Sequence, residues 1–315
     1  MPAGREEMSR APLRFAVLLG LGLAWASGLA TARADSGERQ HVRVGETQRG
    51  YLIRVPAPLP SGPLPLVLML HGGGGNADNG EQMSGFTPIA RREGFIVVYP
   101  DGSGRFEERL LSWNAGHCCA YAMEHGADDV AFIRALIKQV SQDYPVDPRR
   151  IYVTGMSNGG MMSHRLGLEL SDTVAAIAPV VGTLFGDEAL PPRPVSALII
   201  NGGADRIVPP QGGELGGRVA GASDGRPLRP AGEQGAFWAR ADGCEAAPEV
   251  QVRGGVQHWR YRCPEGLAVE RYLIEDAGHA WPGGSAGRRR ADPPSQALKA
   301  SETIWAFFKA HPKAP

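Results

Sequence analysis

Five continuous apolar runs constrain this chain more than any other feature. They are Leu66-Val-Leu-Met-Leu70, Phe95-Ile-Val-Val-Tyr99, Ile151-Tyr-Val-Thr154, Val174 to Val181, and Val195-Ser-Ala-Leu-Ile-Ile200. A strand covered on one face alternates apolar and polar residues, whereas an unbroken run marks a strand buried on both. Helical segments fall among them, at 84–93, 128–140, from 158, at 232–242 and at 295–310. In the second, Val130, Ile133, Leu136, Ile137 and Val140 share one stripe, and Asp128 or Asp129 can cap it. Such alternation predicts an α/β fold: a mostly parallel central sheet with helices on both faces. Segments at 41–45 and 48–55 read as an antiparallel edge. Further strands are expected at 257–262 and 268–275. Residues 56–65, 103–126 and 202–230 read as loops.

The first residues have a different character. Arg5, Arg10 and Arg14 precede a 16-residue apolar run, Phe15 to Ala30, and then Ala32-Arg33-Ala34. A basic segment, a short apolar core and an A-x-A site form a secretory signal peptide. The run falls short of the roughly 20 apolar residues that span a bilayer. Residues 1–34 are therefore expected to be removed, leaving 35–315 as a single catalytic domain that is secreted or periplasmic, with no membrane partner. Lys+Arg and Asp+Glu are 33 each, which excludes a polybasic nucleic-acid binder held by phosphate contacts.

Export permits disulfides. Cys244 and Cys263 flank an expected strand pair and are expected to bond. A closed loop of that size contributes about 3 kcal/mol in the chain-entropy picture. Cys118 and Cys119 are adjacent, and their pairing stays open. Zinc is the rival for all four, but the C-x-x-C pairs of structural zinc sites are missing.

The chemistry centres on Gly155-Met156-Ser157-Asn158-Gly159. In a chain with 43 glycines, a bare G-x-S-x-G carries little weight. Between an expected strand and an expected helix it reads as a nucleophile elbow, whose glycines make room for a tight turn. A serine nucleophile needs a base, and the base needs an orienting carboxylate. Four histidines follow Ser157. His164 falls in a helix, His258 in a strand and His311 in the tail. His279 stands in a loop just past a strand and is the expected base. Asp205 follows the Val195–Ile200 run by a short turn and is the expected carboxylate; Asp187 and Glu188 precede that strand. The oxyanion hole is expected from the backbone N–H groups of Asn158 and of Gly73 in His71-Gly-Gly-Gly-Gly, with Gly74 as second choice. The glycine loop lacks the Gly-Lys-Ser/Thr of a P-loop, so no nucleotide is expected.

Six ordered motifs carry a resemblance. They are His71-Gly-Gly-Gly-Gly-Asn76, Ser112-Trp-Asn-Ala-Gly-His-Cys-Cys119, Gly155-Met-Ser-Asn-Gly-Gly-Met-Met-Ser163, Gly203-Ala-Asp-Arg-Ile-Val-Pro209, Trp238-Ala-Arg-Ala-Asp-Gly-Cys244 and Gly278-His-Ala-Trp-Pro-Gly283. Together they resemble the secreted polyhydroxybutyrate depolymerase and feruloyl esterase group, akin to carbohydrate esterase family one. The resemblance covers nearly all of 45–310. It implies an α/β-hydrolase fold and carries the triad onto Ser157, Asp205 and His279. The glycine loop lacks the cysteine often found there in relatives.

The expected activity is serine esterase chemistry on a small or polymeric ester, with no metal or organic cofactor. Trp113 and Trp281 are candidate aromatic contacts for substrate, against a plainer role in packing. Arg288-Arg-Arg290 reads as a solvated loop. The rival activities are a secreted serine peptidase on the same fold and a non-catalytic carbohydrate-binding homologue. Acyl and alcohol preference and oligomeric state are left open by the sequence.

Overall fold

Side chains of one strand, Leu64–Leu70, alternate between two cores. Leu64, Leu66, Leu68 and Leu70 join one apolar cluster, while Val67 and Met69 join the other. A strand buried on both faces needs a layer on each side, and that is the architecture. The computed structural model describes Met1, residues 37–287 and residues 291–314. The chain divides into two compact units, Met1–Thr31 and Ala32–Pro315. All described residues except Met1 lie in the second. The expected signal peptide and Arg288–Arg290 lie outside the described residues.

In chain order the strands are β1 (Gln40–Val44), β2 (Thr47–Arg54), β3 (Leu64–Leu70), β4 (Ile96–Pro100), β5 (Val146–Met156), β6 (Ala176–Val180), β7 (Ser196–Gly202), β8 (Glu249–Arg253), β9 (Val256–Tyr261) and β10 (Val269–Ile274). The helices are α1 (Ala77–Ser84), α2 (Phe86–Glu93), α3 (Ala120–Glu124), α4 (Asp129–Asp143), α5 (Asn158–Glu169), α6 (Ala231–Ala241) and α7 (Ala300–Ala310). One sheet runs β1-β2-β4-β3-β5-β6-β7-β10-β9-β8. Pairs from β4 through β10 are parallel, and the pairs at the two margins are antiparallel. Apolar residues of α4, α5 and α6 pack into one cluster, and those of α1, α2 and α7 into the other. This is the expected mostly parallel sheet with helices on both faces.

Several elements differ from expectation, among them the short α3 inside the expected loop at 103–126. The helix expected at 84–93 is α2, and an unanticipated helix, α1, precedes it; Gly85, in a left-handed conformation (φ 64°), ends α1 and separates the two. Polar α1, capped by the Asn76 side chain accepting the Asn79 N–H at 2.9 Å, shows no apolar stripe to read. Strand β8 was not anticipated: it is exposed along its length and pairs only with β9. The last helix starts at Ala300 rather than 295. Ser295 is held instead by its hydroxyl donating to Asp276 (2.9 Å) and its carbonyl accepting the Gly283 N–H (2.8 Å). Cys244 and Cys263 are disulfide-bonded across the base of the β8–β9 hairpin, and Cys118 is bonded to Cys119.

Candidate active site

Four loops that follow β3, β5, β7 and β10 meet at the carboxyl ends of the parallel strands. Ligands of open α/β sheets bind at this edge, where successive connections diverge. Ser157 sits between β5 and α5 at φ 57° and ψ −121°, a conformation costly for a residue with a side chain. The flanking glycines are what make the turn possible. A Cβ on Gly155 would lie 2.5 Å from the Gly159 carbonyl oxygen, and one on Gly159 would lie 2.5 Å from the carbonyl oxygens of both Leu70 and His71. The turn thereby presses α5 against the end of β3.

The Ser157 hydroxyl lies 2.8 Å from His279 Nε2, and His279 Nδ1 lies 2.8 Å from Asp205 Oδ2. Asp205 is nearly fully buried, and its other oxygen accepts the N–H groups of Ile207 (2.8 Å) and Val208 (2.9 Å). An acceptor-only carboxylate takes the Nδ1 proton, which leaves Nε2 to accept from serine. The His279 backbone N–H donates to Asp292 at 2.7 Å, so a second carboxylate holds the base's loop. Nothing in the sequence around Asp292 signals this.

The other histidines and acids are committed elsewhere. Buried His164 accepts the Trp238 indole N–H at Nδ1 (3.0 Å) and donates from Nε2 to Gln234 (2.9 Å). Burial depresses its pKa to about 4. His258 bonds Glu270 and stacks on Tyr272, and His311 bonds the Phe307 carbonyl. Asp187 pairs with His117 and Arg226, and Glu188 accepts the N–H groups of Phe185 and Gly186.

Beside Ser157 stands the glycine loop. Gly74 N–H donates to the Leu111 carbonyl (2.6 Å) and Gly75 N–H to the Gly72 carbonyl (2.9 Å). Gly73 N–H has no acceptor among the described residues, so of the two expected candidates only Gly73 is open to a ligand. Asn158 is the first residue of α5, where backbone N–H groups lack intrahelical partners. His71 fixes the loop. Its Nε2 accepts the Gly102 N–H (3.0 Å), so the proton sits on Nδ1 and is donated to the Gly72 carbonyl (2.8 Å). The Gly72 carbonyl and the Gly73 N–H belong to one planar peptide and point opposite ways. Bonding the carbonyl inward therefore turns the N–H outward.

Of the two readings of Trp113, the structure fits packing and not substrate contact. It is fully buried between His71 and Phe132, and its indole N–H donates to the His71 carbonyl at 2.9 Å. Its backbone N–H and carbonyl both bond the Asn158 side chain, at 2.7 and 2.9 Å. It is a support beneath the glycine loop. Trp281 does line the cavity, though it is almost wholly buried and its indole N–H is held by Ser301.

A cavity of about 660 Å³ opens over Ser157 and has a largely apolar lining. One wall is Cys119, Ala120 and Met161 with Ile207, Leu215 and Val219. Backbone bonds from Ala120 N–H to the Ala222 carbonyl (2.8 Å) and from Asp224 N–H to the His117 carbonyl (3.1 Å) hold it together. His117 also bridges Asp224 (2.7 Å) and Asp187 (3.0 Å). The opposite wall is Met83 and Trp281 with Ser285, Gly287, Ala291 and Asp292, fastened by Asn79 donating to the Gly287 carbonyl at 2.8 Å. Among the described residues, no cluster of His, Cys, Asp and Glu is placed to hold a metal, and no helix is long and apolar enough to cross a membrane.

Known proteins resemble this chain in sequence and in fold. The family described as esterase PHB depolymerase matches residues 50–204. Feruloyl esterase B from Piromyces equi is 33% identical over 231 residues, covering 71% of this chain and 41% of that protein. A putative esterase, NocK, from Nocardia uniformis subsp. tsuyamanensis is 32% identical over 269 residues, covering 81% and 76%. Poly(3-hydroxyalkanoate) depolymerase C from Paucimonas lemoignei is 26% identical, covering 72% of this chain and 57% of its own length. The chain thus spans about half the length of the first and third of these. The solved acetyl xylan esterase from Aspergillus awamori superposes with a TM-score of 0.62 at 16% identity, covering 87% of this chain and all of that one. That likeness makes the fold an α/β-hydrolase fold. With a matching family over its first strands and elbow, and a relative aligned over most of both lengths, the chain belongs to the esterase PHB depolymerase family.

Proposed function

We propose that this protein is a serine esterase that hydrolyses carboxylic esters through a covalent acyl-enzyme. The observation that carries the reading is the continuous hydrogen-bonded line from the Ser157 hydroxyl through His279 to buried Asp205, beside two outward N–H groups. His279 takes the Ser157 proton as the hydroxyl attacks the ester carbonyl. The N–H groups of Gly73 and Asn158 receive the oxyanion, a stabilisation usually worth more than any other single term. His279 then gives its proton to the leaving alcohol. In the second half, water loses a proton to His279 and attacks the acyl-enzyme, and Ser157 leaves with that proton. Asp205 holds the imidazole tautomer throughout and stabilises the imidazolium.

Relatives named feruloyl esterase and poly(3-hydroxyalkanoate) depolymerase, and a structural neighbour named acetyl xylan esterase, support ester rather than peptide chemistry. The wide, mainly apolar cavity suits an acyl chain or aryl group. We further propose that residues 1–34 are cleaved on export and that the enzyme works outside the cytoplasm, where the two disulfides persist.

The test is hydrolysis of methyl ferulate, p-nitrophenyl acetate and a polyhydroxybutyrate suspension side by side, each with Ser157→Ala. Turnover of at least one ester is expected, with a loss of about 10⁴-fold or more in kcat for the variant. Equal rates in wild type and variant would overturn the esterase reading.

A further inference from the structure

The sheet has two margins, and they are finished differently. At one, α4 packs against β1, and Val42 is buried. At the other, every residue of β8 is exposed, and no described strand lies beyond it. Val252 is 67% exposed and Val250 52% exposed. Natural sheets protect a free edge with charge, proline or a covering element, because its open N–H and C=O groups pair readily with another chain. Here two valines stand on the bare edge, and Val250 continues the face of half-buried Trp259 on β9.

The open backbone groups of this edge follow from the turn beside it. Gly254 and Gly255, at φ 56° and 74°, form a two-residue turn between β8 and β9. The pair flanking such a turn, Arg253 with Val256, is hydrogen-bonded, and bonded pairs alternate along an antiparallel ladder. Arg253, Gln251 and Glu249 therefore turn their backbone groups toward β9, and Val250 and Val252 turn theirs outward. The charged ends of the strand are also unsatisfied. Arg253 has no carboxylate partner among the described residues. Glu249 meets Arg262 at 3.3 Å, an exposed pair that holds it weakly.

We propose that β8 is a docking edge for a second copy of this chain, which pairs with it antiparallel about a two-fold axis through Gln251. The sequence Glu249-Val-Gln-Val-Arg253 is complementary to its own reverse. Val250 lies opposite the partner's Val252, and Val252 opposite the partner's Val250. Each of these pairs exchanges both its backbone bonds. Glu249 faces the partner's Arg253 at one end, and Arg253 faces the partner's Glu249 at the other, an arrangement of opposite charges that favours the pairing. Other registers lose this. A shift by one residue sets outward groups against inward ones. A shift by two sets Val252 against the partner's Pro248, which has no N–H, or Val250 against the partner's Gly254 in the turn. The pairing occupies both free edges, so association closes at two copies. The dimer does not rest on the esterase reading.

The test is sedimentation velocity of the purified protein from about 1 µM to about 200 µM, a range that brackets the weak affinity of a small interface. Wild type, Val250→Pro, Glu249→Arg, Arg253→Glu and an equimolar mixture of the last two are compared. Val250→Pro removes an outward donor and no bond to β9, so β8 should persist. Each charge variant sets like charges opposite each other at both ends of the pairing, which weakens the dimer on the order of tenfold. In the mixture every cationic end meets an anionic one again, so pairing between the two variants should return. Melting temperatures check that each variant is folded. The expected result is a concentration-dependent wild-type dimer, lost or weakened in the three single variants and regained in the mixture. A wild type that stays monomeric, species that grow beyond a dimer, a dimer that the folded variants keep at full affinity, or a mixture no more dimeric than its components overturns the docking edge.

Discussion

The floor of the cavity and its wall are built in different ways. The floor, made of the glycine loop, the elbow and residues 111–114, is tied by buried bonds. Asn158 grips the Trp113 backbone at both ends, Trp113 holds the His71 carbonyl, and Asp129, fully buried, takes the Asn114 N–H and the Arg49 guanidinium at 2.8 Å each. The wall, residues 207–224 against 117–120, rests on a few backbone bonds and on the part-exposed bridge from His117 to Asp187 and Asp224. A floor that positions reacting atoms gains from bonds in a low-dielectric interior, which keep donors aimed. A wall that only shapes the volume over Ser157 can be held loosely. Changes in the floor should therefore lower kcat, and changes in the wall should move KM.

The sharpest way to break this division is His71, which touches no substrate. His71→Ala frees the Gly72–Gly73 peptide, and the oxyanion donor is lost without touching Ser157, Asp205 or His279. Loss of one such donor costs about 10²-fold in kcat, with KM nearly unchanged. His71→Asn retains a donor near the Nδ1 position and should recover part of the rate. Steady-state kinetics on a p-nitrophenyl ester checks both. A His71→Ala effect confined to KM would contradict the role given to this residue.

The next effect distinguishes the regions by pH. His164 lies under the floor, on the elbow helix, and burial lowers its pKa from 6.5 to about 4. The unfolded chain binds the proton first, so stability is intact above pH 6.5 and drains as pH falls toward 4. The loss approaches about 3 kcal/mol at pH 4. Asp242, raised to about 7 by burial despite accepting the Val195 N–H, tilts stability the other way in the same window. The comparison must then be with His164→Gln, whose denaturant midpoint should fall less than that of wild type between pH 6.5 and 4. Parallel profiles would show that His164 does not titrate as described.

The wall should respond at the opposite end and more weakly. Partial burial pulls the His117 pKa down, but bonds to Asp224 and Asp187 outweigh it and leave the pKa raised. Groups facing His117 are those two carboxylates, Arg226 on Asp187, and the Phe185 ring. A raised pKa means that the bridge is fully present below pH 6.5 and weakens as pH rises through the folded value. Amide exchange in residues 215–224, corrected for intrinsic rate, should accelerate across that rise in wild type and be fast throughout in His117→Ala. Exchange that is flat with pH in wild type would remove His117 as the fastener.

The same contrast explains what was legible in the sequence. Floor residues follow directly from strand ends. Ser157, Asp205 and His279 each stand a short turn beyond a strand, and the spacing of Gly155 and Gly159 reflects a backbone approach that only glycine allows. The five unbroken apolar runs likewise became the central strands. Wall residues carry no such mark. Leu215, Val219, Ala120 and Asp292 reach the cavity only because distant loops fold over it, and a loop has no period to read. Trp113 stayed open between packing and substrate contact for a related reason. A tryptophan in an irregular segment gives no sign of which way it faces, and its partners, His71 and Asn158, are 42 and 45 residues away. Exposed β8 and polar α1 were missed because apolar patterning marks only what is buried.

The most direct test of the central claim, that Ser157 is the nucleophile aligned by His279 and Asp205, is reaction with a fluorophosphonate followed by peptide mass mapping. A single phosphonyl adduct on the peptide that contains Ser157 is expected, absent in Ser157→Ala and formed far more slowly in His279→Ala. An adduct on another residue, or equal labelling in Ser157→Ala, would contradict the account.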